Sequence, residues 1–367
     1  MVPVLVSRRQ VLRGGIAAGA ALWLAPMLAA CGDPNEDQLS FLNWQDYIDP
    51  TILTDFSKDS GLTVTYETYA SNDELAKRLN LAEVARRRGR EATSFDLIVP
   101  SDNLLDQLRT LEQLQELDDA IVTSLGNLQP AFRAEPFDPG NRFSVPWATG
   151  TTGIGYDATV FDEPPGWEVF LDQTYAGKMT VLDEQRDAFA AALFSLGEDP
   201  NATDPAVVDG AADRLIEMKG VIAAFDSATY LDRLASGELV CAHAYSTDVL
   251  QARERNLDLA YVVPVEGGLR WIDSLCIPVS APNPEGANRF IEFYLQPEIS
   301  ATNAVASKVD TGNEAAQAFV PPEILDDPAI YPTEADLERL VFTQPLDEAD
   351  QAVYDEAWRR VEAAPPA

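Results

Sequence analysis

Among 367 residues there is one histidine and there are three cysteines, which leaves little for soft-metal chemistry. His243 alternates with Cys241 in "VCAHAY" and no C-x-x-C pair occurs, so the zinc patterns fail, and neither a metal site nor a cofactor is expected. Basic residues are scarce too. The chain has 26 Lys and Arg against 60 Asp and Glu, a net charge of −34. A field of that sign repels phosphate backbones and argues against a nucleic-acid partner. Phosphate-cradling loops of the G-x-G-x-x-G or G-x-x-x-x-G-K type are missing as well. No apolar run reaches the roughly 20 residues that a comfortable membrane helix needs.

The run from Ile16 to Ala30 follows the twin arginines Arg8 and Arg9 and ends in Leu28-Ala29-Ala30-Cys31. That order is the layout of an export signal with a lipoprotein cleavage box, in which the Cys31 thiol takes a lipid and becomes the new N-terminus. Residues 1–30 are therefore expected to be removed, and 31–38 to serve as a tether outside the cytoplasmic membrane or in a periplasm. Loss of three arginines and no acids leaves 23 basic against 60 acidic side chains, a net charge of −37. The acidity is spread along the chain, so most of it is assigned to solubility or a saline habitat and a minor part to steering a cation. About 335 remaining residues exceed what one core usually supports, and two domains follow.

Strand and helix patterns alternate after the tether, which defines an α/β protein. "LSFLNW" predicts a strand, "PTILTDFSKDSG" a helix closed by Gly61, and "LTVTYETYA" a strand. "NDELAKRLNLAEVARRR" predicts a helix opened by an Asn cap, and "FDLIVP" a buried strand. "FSVPWATGTTGIGYD" carries the chain into a second domain, where "GKMTVLDE" and "ELVCAHAYS" read as strands and helices fall at about 188–197 and 206–218. "LAYVVPVEGGLRWIDSLCIPVS" reads as a return crossing, followed by an amphipathic helix in "NPEGANRFIEFYLQPE" and a terminal one in "EADQAVYDEAWRRVEAA". Cys241 and Cys276 are expected as buried free thiols and His243 as a satisfied core residue.

Trp44 and Tyr47, Ser101, Glu184 and Asp187, and Tyr245 all fall at carboxyl ends of predicted strands, where open α/β sheets bind ligands. Each has a plain alternative as core, helix cap or solvated first turn. In "RWIDSL", Trp271 and Asp273 are two apart on an extended segment and face the same way. Aromatic rings and carboxylates without a basic centre suit an alkyl chain carrying ammonium groups. Buried methylenes contribute ~0.8 kcal/mol each, ammonium groups on ring faces ~0.5 to 2 kcal/mol, and the carboxylates balance charges too costly to bury alone.

The segments "FLNWQDYIDPTIL", "FDLIVPSDNL", "FSVPWATGTTGIGYD", "VLDEQRDAF", "PVEGGLRWIDSLCIP" and "VYDEAWRRV" resemble, in order and spacing, the periplasmic spermidine/putrescine-binding proteins of ABC importers, from about Leu39 to Val361. The resemblance implies a two-lobed periplasmic-binding-protein fold of type II, each lobe a mixed sheet flanked by helices, with a hinged cleft between. Lobe 1 would comprise 39–149 and 274–306, lobe 2 150–273 and 307–362, and 363–367 a tail. It implies a monomeric binding protein, not an enzyme, that hands a polyamine to a membrane permease. By position, Trp44 and Tyr47 would wall the pocket, Ser101 would touch the chain, and Glu184 with Asp187 would hold one amine. Trp271 would stack on methylenes, Asp273 would pair with an amino group, and Gln344 would add a hydrogen bond. Asn103 and Val309 stand where the family commonly has Tyr, and Tyr245 where it commonly has Trp. Less ring surface also fits another amine or a guanidino compound, and a second reading is the same fold binding a different solute such as a sugar or an amino acid.

Overall fold

Alternation along the first strand, β1 (Gln38–Trp44), sends Leu39 and Phe41 into one apolar core and Leu42 into another, so β1 needs layers on both faces. The computed structural model describes residues 37–365 apart from 46, 88–93, 134 and 136, and apart from the side chains of 73 and 83–87. The export signal, the twin arginines and Cys31 lie outside the described residues.

In chain order the other elements are α1 (Pro50–Ser60), β2 (Thr63–Tyr69), α2 (Asn72–Arg87), β3 (Leu97–Ile98), α3 (Asp102–Thr110), β4 (Ser144–Asp157), β5 (Met179–Val181), α4 (Gln185–Leu196), α5 (Pro205–Lys219), β6 (Ala224–Phe225), α6 (Tyr230–Ala235), β7 (Cys241–Tyr245), α7 (Ser246–Arg253), β8 (Leu259–Val262), β9 (Gly268–Cys276), α8 (Pro284–Tyr294), α9 (Pro297–Ser307), α10 (Pro322–Leu325), α11 (Glu334–Leu337), β10 (Leu340–Phe342) and α12 (Glu348–Ala363). The strands join in the order β2-β1-β3-β9-β4-β7-β5-β6, with β8 also paired to β4 and β10 to β9. The β1–β2, β1–β3, β5–β6 and β5–β7 pairs are parallel, while β4 runs antiparallel to β7, β8 and β9.

Near β1, helices α1 and α8 cover one face through Ile52, Phe56, Phe290 and Ile291, and α2 and α3 cover the other through Leu75, Leu79, Leu105 and Leu108. Around β5 and β7, α4, α5 and α12 build a second core on one face, and α6 and α7 cover the other. The long strands β4 and β9 belong to both regions. They pair from Ser144↔Cys276 to Thr152↔Leu269, with an irregularity between Pro146 and Ala148. There Trp147 turns into the core and stacks on Tyr294, ring centroids 4.3 Å apart, and its indole N–H donates to the Tyr47 carbonyl at 3.1 Å.

Gly61 ends α1 at φ 77°, as its sequence position implies. Trp271 and Asp273 lie together within strand β9, on the extended segment expected for them. Two expectations need correction. Ser71, not Asn72, caps α2: the Ser71 hydroxyl accepts from the Glu74 N–H at 3.2 Å, and Asn72 is already helical. His243 is a core residue with its ring edge-on to Trp167, but its Nδ1 has no hydrogen-bond partner among the described residues, and burial holds its pKa down at about 3. Cys241 and Cys276 are buried and free. Among the described residues no helix is long and apolar enough to cross a membrane.

Candidate functional site

Ser101 occupies the N-cap of α3, the position where a serine normally bonds the helix's own N–H groups, yet its side chain makes no cap bond. Its hydroxyl instead donates to Asp273 Oδ1 at 2.6 Å, across an isolated bridge between the two residues. The Tyr47 hydroxyl donates to Asp273 Oδ2 at 2.9 Å. Asp273 is therefore a buried carboxylate held by two neutral donors, with no basic side chain among the described residues paired to it. Burial raises its pKa to about 6, and the two hydrogen bonds offset only part of that.

Trp271 stands beside it on β9, directly opposite Gly150 of β4. A Cβ at Gly150 would lie 2.3 Å from the Trp271 Cζ2 atom, so the indole covers the bare backbone and only glycine permits this approach. The ring meets Tyr245 edge-to-face, centroids 6.4 Å apart. Gly150→Ala should push the indole out of place and, if Trp271 lines a binding site, lower affinity for the bound molecule about tenfold, the scale of one lost aromatic contact. Equal affinity for variant and parent in a calorimetric titration would show that the ring does not touch the bound molecule. Trp44 ends β1, its indole N–H donating to the Val99 carbonyl at 2.9 Å and its ring packing on Tyr69 at 4.6 Å.

The second cluster of acids starts α4. Glu184 holds the N-cap position and is exposed, and Asp187 is half-buried in the first turn. Burial raises Asp187 to about 6, while the nearby Thr152 hydroxyl and the Arg186 charge pull it down. Asp187, Glu184, Asp248 and Asp273 all lie close enough to Tyr245 to raise its phenol further, after burial itself. The structure thus gathers Tyr47, Ser101, Trp271, Asp273, Tyr245, Glu184 and Asp187. Gln344 is exposed and fixed through its backbone, its N–H donating to Asn201 Oδ1 at 2.8 Å and its carbonyl accepting from Arg186 Nη1 at 3.2 Å. Val309 is buried in the core beside β1. Sequence reasoning passed over Gly150, Thr152, Asp102 and Asp248. Only Asp102, adjacent to Ser101, carried a signal that could have exposed it.

A mixed sheet crossed by two long antiparallel strands, with carboxylates and rings brought together at strand ends and helix starts, defines a solute-binding protein of the periplasmic-binding-protein fold. The chain belongs to the family described as bacterial extracellular solute-binding proteins, whose model matches residues 51–333. It is 31% identical to the spermidine/putrescine-binding periplasmic protein of Salmonella typhimurium over 350 residues, 95% of this chain and 97% of the relative. Identity to the putrescine/cadaverine-binding protein of Pseudomonas aeruginosa is 30% over 341 residues, 89% of this chain and 93% of the relative. Among solved structures, the spermidine/putrescine ABC transporter substrate-binding protein of Streptococcus pneumoniae superposes with a TM-score of 0.79 at 29% identity, covering 89% of this chain and 98% of that one. A Treponema pallidum lipoprotein does so with a TM-score of 0.79 at 26% identity, covering 89% and 99%.

Proposed function

We propose that the chain is the extracytoplasmic substrate-binding lipoprotein of an ABC importer, capturing a polyamine of the putrescine or spermidine class and passing it to the permease. The observation that carries this reading is Asp273, a buried carboxylate beside an indole with no cation among the described residues to balance it. An ammonium group on an alkyl chain supplies both the charge and the apolar contact. An amino-acid ligand would need a free guanidinium for its carboxylate. Arg186 is instead occupied by Asn201, the Gln344 carbonyl and the Tyr354 ring, and Arg270 is stacked on Phe132 and Phe342. Capture, not catalysis, is the role of the carboxylates in this reading. Lobe 1 (39–149, 274–306) and lobe 2 (150–273, 307–362) close on the solute, and the protein acts as a monomer.

Thermal-shift measurements with putrescine, spermidine, sugars and amino acids test the assignment. A true ligand at 100 times its Kd adds ~2.7 kcal/mol of stability, and a shift with sugars or amino acids but not amines would refute it. Lipid anchoring at Cys31 is supported by the twin arginines, the short apolar run and the "LAAC" box. The Cys31→Ser chain should be unprocessed or released from membranes. An unmodified Cys31 in mass spectra of the parent's membrane fraction would rule the anchor out.

A further inference from the structure

Asp102 opens α3 next to Ser101 and is 5% exposed. Its Oδ1 accepts the N–H of its neighbour Asn103 at 2.8 Å, and its Oδ2 is buried with no partner among the described residues. A helix start favours negative charge, but it provides no donor for that second oxygen. A buried oxygen left this way is a cost the fold tolerates where a ligand completes it. The placement fits that role. Asp102 lies near enough to Asp273, Glu135 and Asp187 to feel the charge of each, although Asp187 starts α4 in the other part of the sheet. Arg270 is also within electrostatic reach, yet it stacks between Phe132 and Phe342 at 5.0 and 5.2 Å and makes no hydrogen bond or ion pair with Asp102.

Resting on the polyamine reading above, we propose that Asp102 Oδ2 is a third ammonium-accepting group, which adapts the site to a linear triamine. Asp273 and the Glu184–Asp187 pair suffice for the two ends of a diamine. An additional carboxylate within electrostatic reach of Asp273, Asp187 and Glu135 matters only to a ligand with a further nitrogen.

The experiment compares spermidine and putrescine by calorimetric titration of the full chain, parent and Asp102→Asn, together with melting temperatures without ligand. The amide keeps the acceptor for the Asn103 N–H and removes the charge. The spermidine-to-putrescine affinity ratio should fall about tenfold, and the ligand-free variant should melt at or above the parent's temperature. A ratio within twofold of the parent's, a sharp drop in ligand-free melting temperature, or a variant that does not fold would each overturn the proposal and leave Asp102 a structural helix-start residue. If the parent binds neither amine, the polyamine reading itself fails. If the parent binds both and only the ratio stays put, that reading stands without this one.

Discussion

Asp273→Asn is expected to weaken polyamine binding roughly 100- to 5000-fold, because breaking a buried charge pair typically costs ~3 to 5 kcal/mol and each 1.4 kcal/mol is a factor of ten. The substitution is nearly isosteric. Its carbonyl can accept one of the two hydroxyl hydrogen bonds now made to the carboxylate, and its amide can donate to the other oxygen once that hydroxyl rotates. What disappears is the charge that an incoming ammonium would neutralise. The same charge has no cationic partner in the ligand-free protein and is costly to bury, so the variant should melt no lower than the parent. Titration calorimetry with putrescine and spermidine, and melting curves without ligand, check both halves. Affinities within threefold of the parent's, or a collapse in melting temperature, would make Asp273 a structural residue and remove the centre of the proposed site.

The parts of this site that were legible in the sequence are those fixed by local periodicity. Trp44, Ser101, Glu184 and Tyr245 end or follow β1, β3, β5 and β7, and an alternating strand–helix pattern predicts such positions without knowledge of partners. The pairing of Trp271 with Asp273 follows from the two-residue period of a strand. Other roles depended on contacts that no local pattern encodes. Ser101 reads as a helix cap, and only a partner 172 positions away turns its hydroxyl elsewhere; Tyr47 meets the same aspartate from 226 positions away. Gly150 looks like one glycine among several in "ATGTTGIGYD" until the register of β4 against β9 puts the Trp271 indole over it.

The remaining mismatches have the same origin. In "SND", Ser71 and Asn72 are both good caps, and the choice is made by the Glu74 N–H together with Asn72 accepting, through its side chain, from the Ser101 N–H at 3.4 Å. His243 lies on a buried strand as its pattern implies. Whether its ring finds a donor or acceptor depends on the packed neighbours, which here include the edge-on Trp167. The spread of acidity along the chain leaves Asp102 one of sixty acids, and a buried Oδ2 with no partner among the described residues sets it apart from the other buried ones.

Lowering the pH from 7 to 5 should weaken binding about 100-fold while the amines keep their charge, since aliphatic amines titrate near 10. Asp273 and Asp187 both titrate at about 6, chiefly because of burial. Each passes from roughly nine-tenths ionised to one-tenth over that range, a tenfold loss apiece if both must be charged to hold the ligand. The effect on the ligand-free protein has the opposite sign. A carboxyl whose folded pKa exceeds its unfolded value of about 3.9 is stabilised below that value and loses the contribution as the pH rises through 6. Acidification from 7 to 5 should thus stabilise the parent relative to Asp273→Asn by about 1.4 kcal/mol, one pKa unit's worth. Using the difference between the two proteins cancels His243, which is buried neutral with its pKa near 3 and destabilises both as the pH falls below 6.5. Ligand-induced melting shifts that shrink on acidification, with a ligand-free parent that gains on its variant, are the expected pair of results. Binding that is flat between pH 5 and 7 would mean that the carboxylates facing the solute are ordinary solvated acids, already fully charged at pH 5.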